Sequence, residues 1–178
     1  GLVAGHRALR RQHVHRLRTR DARHGVECVV IGGFAAFLQG SPIPTVDVDI
    51  TPSTERDNLG RLSEALTELG ARVRAEGVEP MPFAHDADSL AAVPMWNLTT
   101  RYGDLDIALM PAGTRGYEDL RRDASEVTIR GTPVLLASLA DIVRSKDAAG
   151  RDKARRALPV LRELLARETR ARNRPEGG

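Results

Sequence analysis

The sequence predicts a single domain of the α/β or α+β class, and three observations support this prediction. Segments with the spacing of strands alternate along the chain with segments that have the spacing of helices. Glycine and proline residues separate these segments. The 178 residues are 41% hydrophobic and 29% charged, which is typical of a chain that buries one core and not of a disordered chain.

The first quarter of the chain is predicted to contain a helix, a strand and a second, short helix. Residues 1–24 form a basic surface helix, because helix formers continue up to Gly25 and apolar positions are few. Residues 26–31 are nearly all apolar and rich in β-branched side chains, which indicates a strand buried on both faces. The pair Gly32-Gly33 follows, and after it a short apolar helix over residues 34–39.

The remaining elements are predicted from the spacing of apolar residues and from the glycines, prolines and capping residues between them. Residues 46–50 alternate, so that Val46, Val48 and Ile50 lie on one face of a strand, with Asp47 and Asp49 on the other. A helix capped by Ser53 or Thr54 carries Leu59, Leu62, Leu66 and Leu69 on one face and ends at Gly70. Strands are predicted at 71–75, 93–100, 105–110 and 126–129, with a short helix at 117–123 and a turn at Gly131. A helix runs from its cap at Ser138 to Gly150, and a last helix covers 151–171, kinked or restarted at Pro159.

Charge divides the chain into three parts within one domain. Residues 1–24 carry seven arginines and one aspartate, and residues 151–178 carry nine lysines and arginines against four acids, so the acidic residues concentrate in between. We predict a basic N-terminal helix (1–24), a core (25–137) and a helical C-terminal lobe (138–178). Basic ends around an acidic centre suit a protein that binds cations in the middle and polyanions at its edges. Two solvated, arginine-rich helices would have the same composition.

Composition excludes several other classes of protein. Aromatic residues make up 3% of the chain, too few for a broad base-stacking surface. No run approaches the roughly 20 apolar residues that span a bilayer, so no membrane association is expected. The single cysteine, Cys28, lies in an apolar strand and has no partner for an intrachain disulfide, as expected of a cytoplasmic protein.

The pair Gly32-Gly33 lies where a buried strand ends and a helix begins. Backbone N–H groups at a helix start lack partners, and the absence of side chains lets phosphate oxygens approach them closely. A plain tight turn has the same sequence. The pair therefore points to phosphate binding only in combination with other residues.

Asp47 and Asp49 are the strongest candidates for a metal site. On one face of a strand their Cα atoms lie about 6.5–7 Å apart. Two such carboxylates repel each other unless a cation lies between them, and oxygen ligands favour a hard ion, Mg²⁺ or Mn²⁺. An amphipathic strand with its charged face in water is the alternative. Aspartate is a poor strand former, however, and such local conflicts tend to mark functional sites.

Asp106 is the candidate for a third carboxylate. It shares a strand face with Asp104, which directly follows Gly103 and is expected at the entrance of the strand. Phosphoryl transfer through two metal ions, about 3.5–4 Å apart, needs a carboxylate from a separate element to hold the ion that activates the nucleophile. Asp106 fits that requirement.

In this order along the chain, the residues resemble the DNA polymerase β superfamily of nucleotidyltransferases, and in particular its minimal bacterial branch, the AbiEii-like and MenT-type toxins of toxin–antitoxin systems. The resemblance covers about residues 26–165. It is carried by Gly32-Gly33, the segment 45–49, the segment 103–106 and the segments 138–146 and 150–153. It implies a polymerase β-like fold, with a small mixed sheet flanked by helices and a helical C-terminal part.

The resemblance also implies a site with two Mg²⁺ or Mn²⁺ ions. Asp47 and Asp49 would bind both ions, while Asp106 would bind the catalytic ion and help to deprotonate the acceptor hydroxyl. Gly32 and Gly33 would cradle the β- and γ-phosphates of a nucleoside triphosphate.

Three further residues complete the implied site. Lys146, one of two lysines, would offset phosphate charge, although a solvated cation at a helix end is the alternative. Arg151 and Thr45 would contact the nucleotide. Thr45 faces the same way as Asp47 and would be a site of regulatory phosphorylation, because a phosphate there adds up to two negative charges beside the metal carboxylates.

The leading hypothesis is a toxin that transfers a nucleoside monophosphate, with pyrimidines favoured, from NTP to the 3′ end of tRNA and thereby stops translation. A cognate antitoxin is then an expected partner. The alternatives are nucleotidyl transfer to a protein or to a small molecule such as an antibiotic, and a catalytically silent binding module.

Overall fold

An eight-stranded mixed sheet is the centre of the computed structural model, which describes residues 24–173. The predicted basic helix over residues 1–24 lies outside the described residues except for its last position, and so do residues 174–178. The strands are β1 (Cys28–Ile31), β2 (Asp47–Pro52), β3 (Arg72–Ala75), β4 (Val78–Met81), β5 (Met95–Thr100), β6 (Gly103–Ala108), β7 (Ser125–Ile129) and β8 (Thr132–Leu136). The helices are α1 (Gly32–Leu38), α2 (Arg56–Leu69), α3 (Ala87–Ala92), α4 (Tyr117–Arg122), α5 (Leu139–Ala149) and α6 (Asp152–Arg172).

The sheet has the strand order β4-β3-β5-β6-β2-β1-β8-β7. β2 runs parallel to β6 and β1 runs parallel to β8, whereas all other neighbours are antiparallel. β1 lies inside the sheet, and its apolar character follows from that position, since both of its faces are covered. The predicted α/β class with a mixed sheet is confirmed.

The core lies between the apolar sheet face and the helices. Val48 and Ile50 of β2 are fully buried, as are Leu105 and Ile107 of β6. The four leucines predicted to share a face of α2 are buried as well, and burying each such side chain contributes about 1.5–3 kcal/mol. Because side chains alternate along a strand, this burial turns the aspartates of β2 and β6 to the opposite face.

Asn58 fixes α2 to the start of β1 and the end of β2. Its Oδ1 accepts a hydrogen bond from the backbone N–H of Glu27 at 2.8 Å. Its Nδ2 donates to the carbonyl of Glu27 at 2.9 Å and to that of Ser53 at 2.8 Å. Because the oxygen and the nitrogen of this buried amide are both hydrogen-bonded, Asn58 links the start of β1 to the end of β2. It thereby helps to fix the position of β2, which carries Asp47 and Asp49.

Some predicted boundaries are wrong. The cap of α2 is Glu55, without a side-chain bond, whereas Ser53 accepts a bond from the Glu55 N–H in the turn before it. Val46 precedes β2 and is 67% exposed, so it does not share the buried face. The last helix does not restart at Pro159, which lies inside one continuous helix. The ends of α2 and α5 at Gly70 and Gly150, both left-handed, are confirmed.

Three short elements were not predicted. β4 and β8 contain Pro80 and Pro133, and proline disfavours a strand that must donate on both sides. β4 is an edge strand, so it is paired on one side only. Pro133 lies in the part of β8 that pairs only with β7. Neither proline therefore removes a backbone N–H that a second neighbouring strand requires. α3 begins at a capping box between Asp86 and Ser89, a signal present in the sequence.

The single tryptophan of the chain lies in a strand beside the centre of the sheet. Trp96 of β5 pairs in register with Ile107 of β6. Its ring packs against Phe83 with centroids 5.2 Å apart, and its Nε1 donates to the carbonyl of Leu90 at 3.3 Å. It therefore contributes to packing on the face opposite Asp106. Within residues 24–173, no helix is both long enough and apolar enough to cross a membrane.

Candidate active site

Three carboxylates converge where β2 and β6 run side by side. Asp49 and Asp106 are partners in the parallel register, so they share one face of the sheet. Asp47 lies two residues before Asp49 on the same face. One oxygen from each of the three side chains lies within 4.8 Å of the other two. The structure therefore brings together the three aspartates that the sequence singled out.

The electrostatics of this cluster are unfavourable without a cation. Burial, together with the neighbouring carboxylates of Asp47 and Asp106, raises the pKa of Asp49 from 3.8 to about 7. Burial also raises the pKa of Asp106, although the guanidinium of Arg74 opposes this effect. A divalent cation would remove both penalties, and an all-oxygen donor set suits a hard ion such as Mg²⁺ or Mn²⁺. The residues present fit the expected metal, and the number of ions remains a prediction.

The two glycines of the predicted phosphate turn make room for their neighbours. Gly32 has a φ of 68°, and a Cβ on it would lie 2.2 Å from Oδ2 of Asp49. A Cβ on Gly33 would lie 3.0 Å from Oγ1 of Thr45. β1 ends and α1 begins at Gly32, so the turn directly adjoins the carboxylate cluster. The glycines are thus needed for the packing of the site itself, whatever else they bind.

Thr45 is part of the same cluster. Its hydroxyl donates a hydrogen bond to Oδ1 of Asp47 at 2.8 Å. This contact orients one carboxylate from a residue that lies before the strand. The sequence placed Thr45 on the side of Asp47, and the structure agrees.

Basic residues from the α5–α6 junction face the carboxylates across a cavity of about 310 Å³. Lys146, Arg151 and Lys153 all line it, as do both glycines and the three aspartates. Lys146 and Lys153 lower the pKa of Asp49, which shows that both ammonium groups act on the cluster. Sequence reasoning left Lys153 out of the site, although it follows Arg151 by two residues in the first turn of a helix.

The other part of the cavity is apolar. Met95 of β5, Ala108 of β6, Pro111 and Ala112 contribute to its lining. Met95 pairs with Ala108, one step beyond Asp106 along the site face, and remains 41% exposed. The cavity lining therefore combines basic side chains with apolar ones, and Met95 and Ala108 lie beside Asp106.

Arg74 of β3 is a site neighbour that the sequence did not reveal. Its Nη2 donates to Oδ1 of Asp106 at 2.8 Å. Its Nε lies 3.4 Å from Oδ2 of Asp104, an ion pair without hydrogen-bond geometry. No local signal marks this residue, because its position depends on the pairing of β3 with β5 and of β5 with β6.

Solved structures with the same arrangement of elements are nucleotidyltransferases. The solution structure of the antibiotic-resistance factor ANT(2″)-Ia is 19% identical, with a TM-score of 0.55, over 89% of this chain and 85% of that one. A crystal structure of ANT(2″)-Ia with adenylyl-2″-tobramycin also has 19% identity and a TM-score of 0.55, over 90% of this chain and 91% of that chain. The lincosamide antibiotic adenylyltransferase LnuA, bound to lincomycin, is 12% identical with a TM-score of 0.55, over 86% of this chain and 96% of that one.

No protein-family model and no curated protein sequence matches the chain. The similarity thus lies in the fold and in the order of its elements. This fold is the one that the resemblance implied, while membership of the toxin branch stays a prediction. The chain has the fold of the polymerase β-like nucleotidyltransferases.

Proposed function

We propose that the protein is a metal-dependent nucleotidyltransferase that moves a nucleoside monophosphate from an NTP to an acceptor hydroxyl and releases pyrophosphate. The observation that carries this proposal is the convergence of Asp47, Asp49 and Asp106 within 4.8 Å, beside a glycine turn and opposite two lysines. A silent binding module has no need for three carboxylates at this distance, because their repulsion destabilises the fold.

Each residue of the site has a distinct part in the proposed reaction. Asp47, Asp49 and Asp106 would hold divalent metal, which would neutralise charge on the phosphates and favour the deprotonated acceptor. The acceptor oxygen bonds to the α-phosphorus, and the bond from that phosphorus to the departing pyrophosphate breaks. Asp106, at the boundary with the apolar region, takes part in removing the acceptor proton.

The phosphates are bound from the other side of the cavity. Lys146, Arg151 and Lys153 supply positive charge from two helices, which favours the triphosphate and then the pyrophosphate. Gly32 and Gly33 leave backbone open toward the β- and γ-phosphates at the first turn of α1.

For the acceptor we propose RNA, specifically the 3′ end of tRNA. α6 exposes a series of arginines, of which Arg155, Arg156 and Arg170 have no ion-pair partner within residues 24–173. Free cations along one helix suit a phosphate backbone. Pyrimidine nucleotides and an antitoxin partner belong to the same proposal.

An antibiotic or another small molecule is the second candidate acceptor. ANT(2″)-Ia and LnuA are described as an antibiotic-resistance factor and as a lincosamide adenylyltransferase, and both share the fold. The apolar lining beside Asp106, formed by Met95, Ala108 and Pro111, would contact the ring system of such a molecule.

The test offers each of the four labelled NTPs, with Mg²⁺ or Mn²⁺, to total RNA, to tRNA, and to aminoglycosides and lincosamides. We expect a labelled tRNA band that Asp47→Asn and Asp106→Asn abolish. Asp57→Asn, an exposed carboxylate in the first turn of α2, is the matched control and should keep full activity. A labelled antibiotic without labelled RNA would select the second acceptor. No labelled product with any acceptor would refute the enzyme.

Thr45 is proposed as a site of regulatory phosphorylation. Its hydroxyl already bonds to Asp47, so a phosphate in its place would repel that carboxylate and occupy the metal side of the cavity. Thr45→Glu should therefore abolish transfer, whereas Thr45→Ser, which keeps the hydroxyl, should retain it. Equal activity of the two variants would refute this role.

A further inference from the structure

Arg74 reaches the carboxylate cluster from outside the two strands that carry it. β3 is separated from β6 by β5. Asn97 of β5 pairs with Asp106, and Thr99 pairs with Asp104, so the arginine side chain crosses one whole strand to contact both carboxylates. Such a long side chain is held in place only when its head group is bound at the far end.

The hydrogen bond of Arg74 is directed at one oxygen of Asp106. Nη2 donates to Oδ1 at 2.8 Å, where the side chains of Arg74 and Asp106 are 36% and 19% exposed. In the part of the chain that the structure describes, Arg74 is the only residue that forms an ion pair with the carboxylates of β6. Solvent screening is therefore limited at the Asp106 end of the pair.

Binding of one oxygen restricts the rotation of the whole carboxylate. While Arg74 holds Asp106, one oxygen of that side chain stays within 4.8 Å of oxygens from Asp47 and Asp49. Metal ligands in proteins depend on outer partners of this kind, which fix their orientation before the ion arrives. A freely rotating Asp106 would lose this preorganisation.

We propose that Arg74 is a positioning residue for the metal site, which orients Asp106 toward Asp47 and Asp49 and thereby strengthens metal binding. This inference rests on the proposed function, since it assigns a role within the same site. It adds β3 to the two strands that build the site. Loss of Arg74 should therefore weaken metal binding. Simple electrostatics predicts the opposite, because removing one cation near the cluster should strengthen the binding of another.

The experiment measures Mn²⁺ binding to the full chain by isothermal titration calorimetry, without any substrate. We expect Arg74→Gln to weaken binding by about 10- to 100-fold, as for other outer partners of metal ligands. Arg74→Lys should fall in between, because an ammonium group lacks the planar fork that contacts two carboxylates. Arg72→Gln is the matched control: Arg72 is exposed on the same strand, and within residues 24–173 it forms no recorded ion pair. It should bind Mn²⁺ like the unchanged chain.

Two results would overturn the proposal. Unchanged or tighter Mn²⁺ binding by Arg74→Gln would show that the arginine acts only through its charge. A lower melting temperature with unchanged affinity would show a purely structural role. In transfer assays we expect Arg74→Gln to lower kcat at saturating NTP and to leave KM for NTP within about threefold, since the phosphates are bound elsewhere. If the unchanged chain binds Mn²⁺ but transfers nothing, the proposed function fails while the role of Arg74 is still decided by calorimetry.

Discussion

At the scale of single residues, the site depends on two glycine positions that have no room for a side chain. Oδ2 of Asp49 occupies the position that a Cβ on residue 32 would need, at 2.2 Å. Oγ1 of Thr45 would lie 3.0 Å from a Cβ on residue 33, a less severe but still close contact. The glycine turn and the carboxylates are therefore one packed unit, and a change in either displaces the other.

Gly32→Ala is expected to reduce transfer by about 100-fold, because a displacement of about 1 Å in a catalytic group has effects of that order. The left-handed φ of 68° adds strain to the steric conflict with Asp49. Steady-state rates and Mn²⁺ affinity would measure the effect. The control is Gly60→Ala in α2, where a Cβ meets nothing within 4 Å, and it should preserve activity and slightly raise stability. An active Gly32→Ala variant would refute the packing argument.

The protonation of Asp49 predicts how stability depends on pH in the absence of metal. Its pKa in the folded chain is about 7, above the ordinary value of 3.8. A raised folded-state pKa stabilises the fold at low pH, and this contribution is lost as the pH rises through about 7. In chelator, the free energy of unfolding should therefore fall between about pH 4 and pH 7 more steeply for the unchanged chain than for Asp49→Asn.

Added Mg²⁺ should reverse that loss above pH 7, because the ion binds the deprotonated cluster. Denaturant titrations at several pH values, with and without Mg²⁺, check both effects. Parallel curves for the two variants in chelator would show that Asp49 is ionised at neutral pH without metal.

At the scale of elements, sequence reasoning succeeded where the signal is local. Strict alternation placed Asp47 and Asp49 on one face of β2, and the same alternation turned Asp106 toward the matching face of β6. That the two strands are parallel neighbours was not visible in the residues, and neither was the reach of Arg74 across β5. Pairing between distant strands is set by the whole core, so single-sequence patterns carry little information about it.

The role of Lys153, at the α5–α6 junction, was missed by the sequence analysis for a different reason. Gly150 ends α5 with a φ of 61°, and α6 begins two residues later, which brings Lys146 and Lys153 into one cavity. Each lysine alone resembles an ordinary helix-end cation. Their common action on Asp49 becomes apparent only from the turn between the helices.

Lys146→Met and Lys153→Met are each expected to raise KM for NTP about 10-fold, because each removes one charge-assisted contact with phosphate. Both variants should still bind Mn²⁺, since the three carboxylates are intact. Arg122→Met, exposed at the end of α4 and outside the cavity lining, is the control and should leave KM for NTP unchanged. If neither lysine variant changes KM, the triphosphate does not lie against the α5–α6 junction.

At the scale of the whole molecule, the charge on α6 distinguishes an RNA acceptor from a small one. Replacing Arg155, Arg156 and Arg170 by glutamine should weaken RNA binding and lower the salt slope by about one for each lost phosphate contact. A small acceptor does not extend along α6, so its KM should not change. Binding at several salt concentrations, compared with Arg130→Gln near the turn at Gly131, would measure the effect. An unchanged salt slope would exclude α6 as an RNA surface.

Trp96 gives the molecule a built-in optical reporter. As the one indole in the chain, it lies in β5, whose neighbour β6 carries Asp106. Any rearrangement that separates these strands, or that moves Phe83 away from the ring, changes the polarity around a single fluorophore. Its emission spectrum can therefore report such a rearrangement without a label.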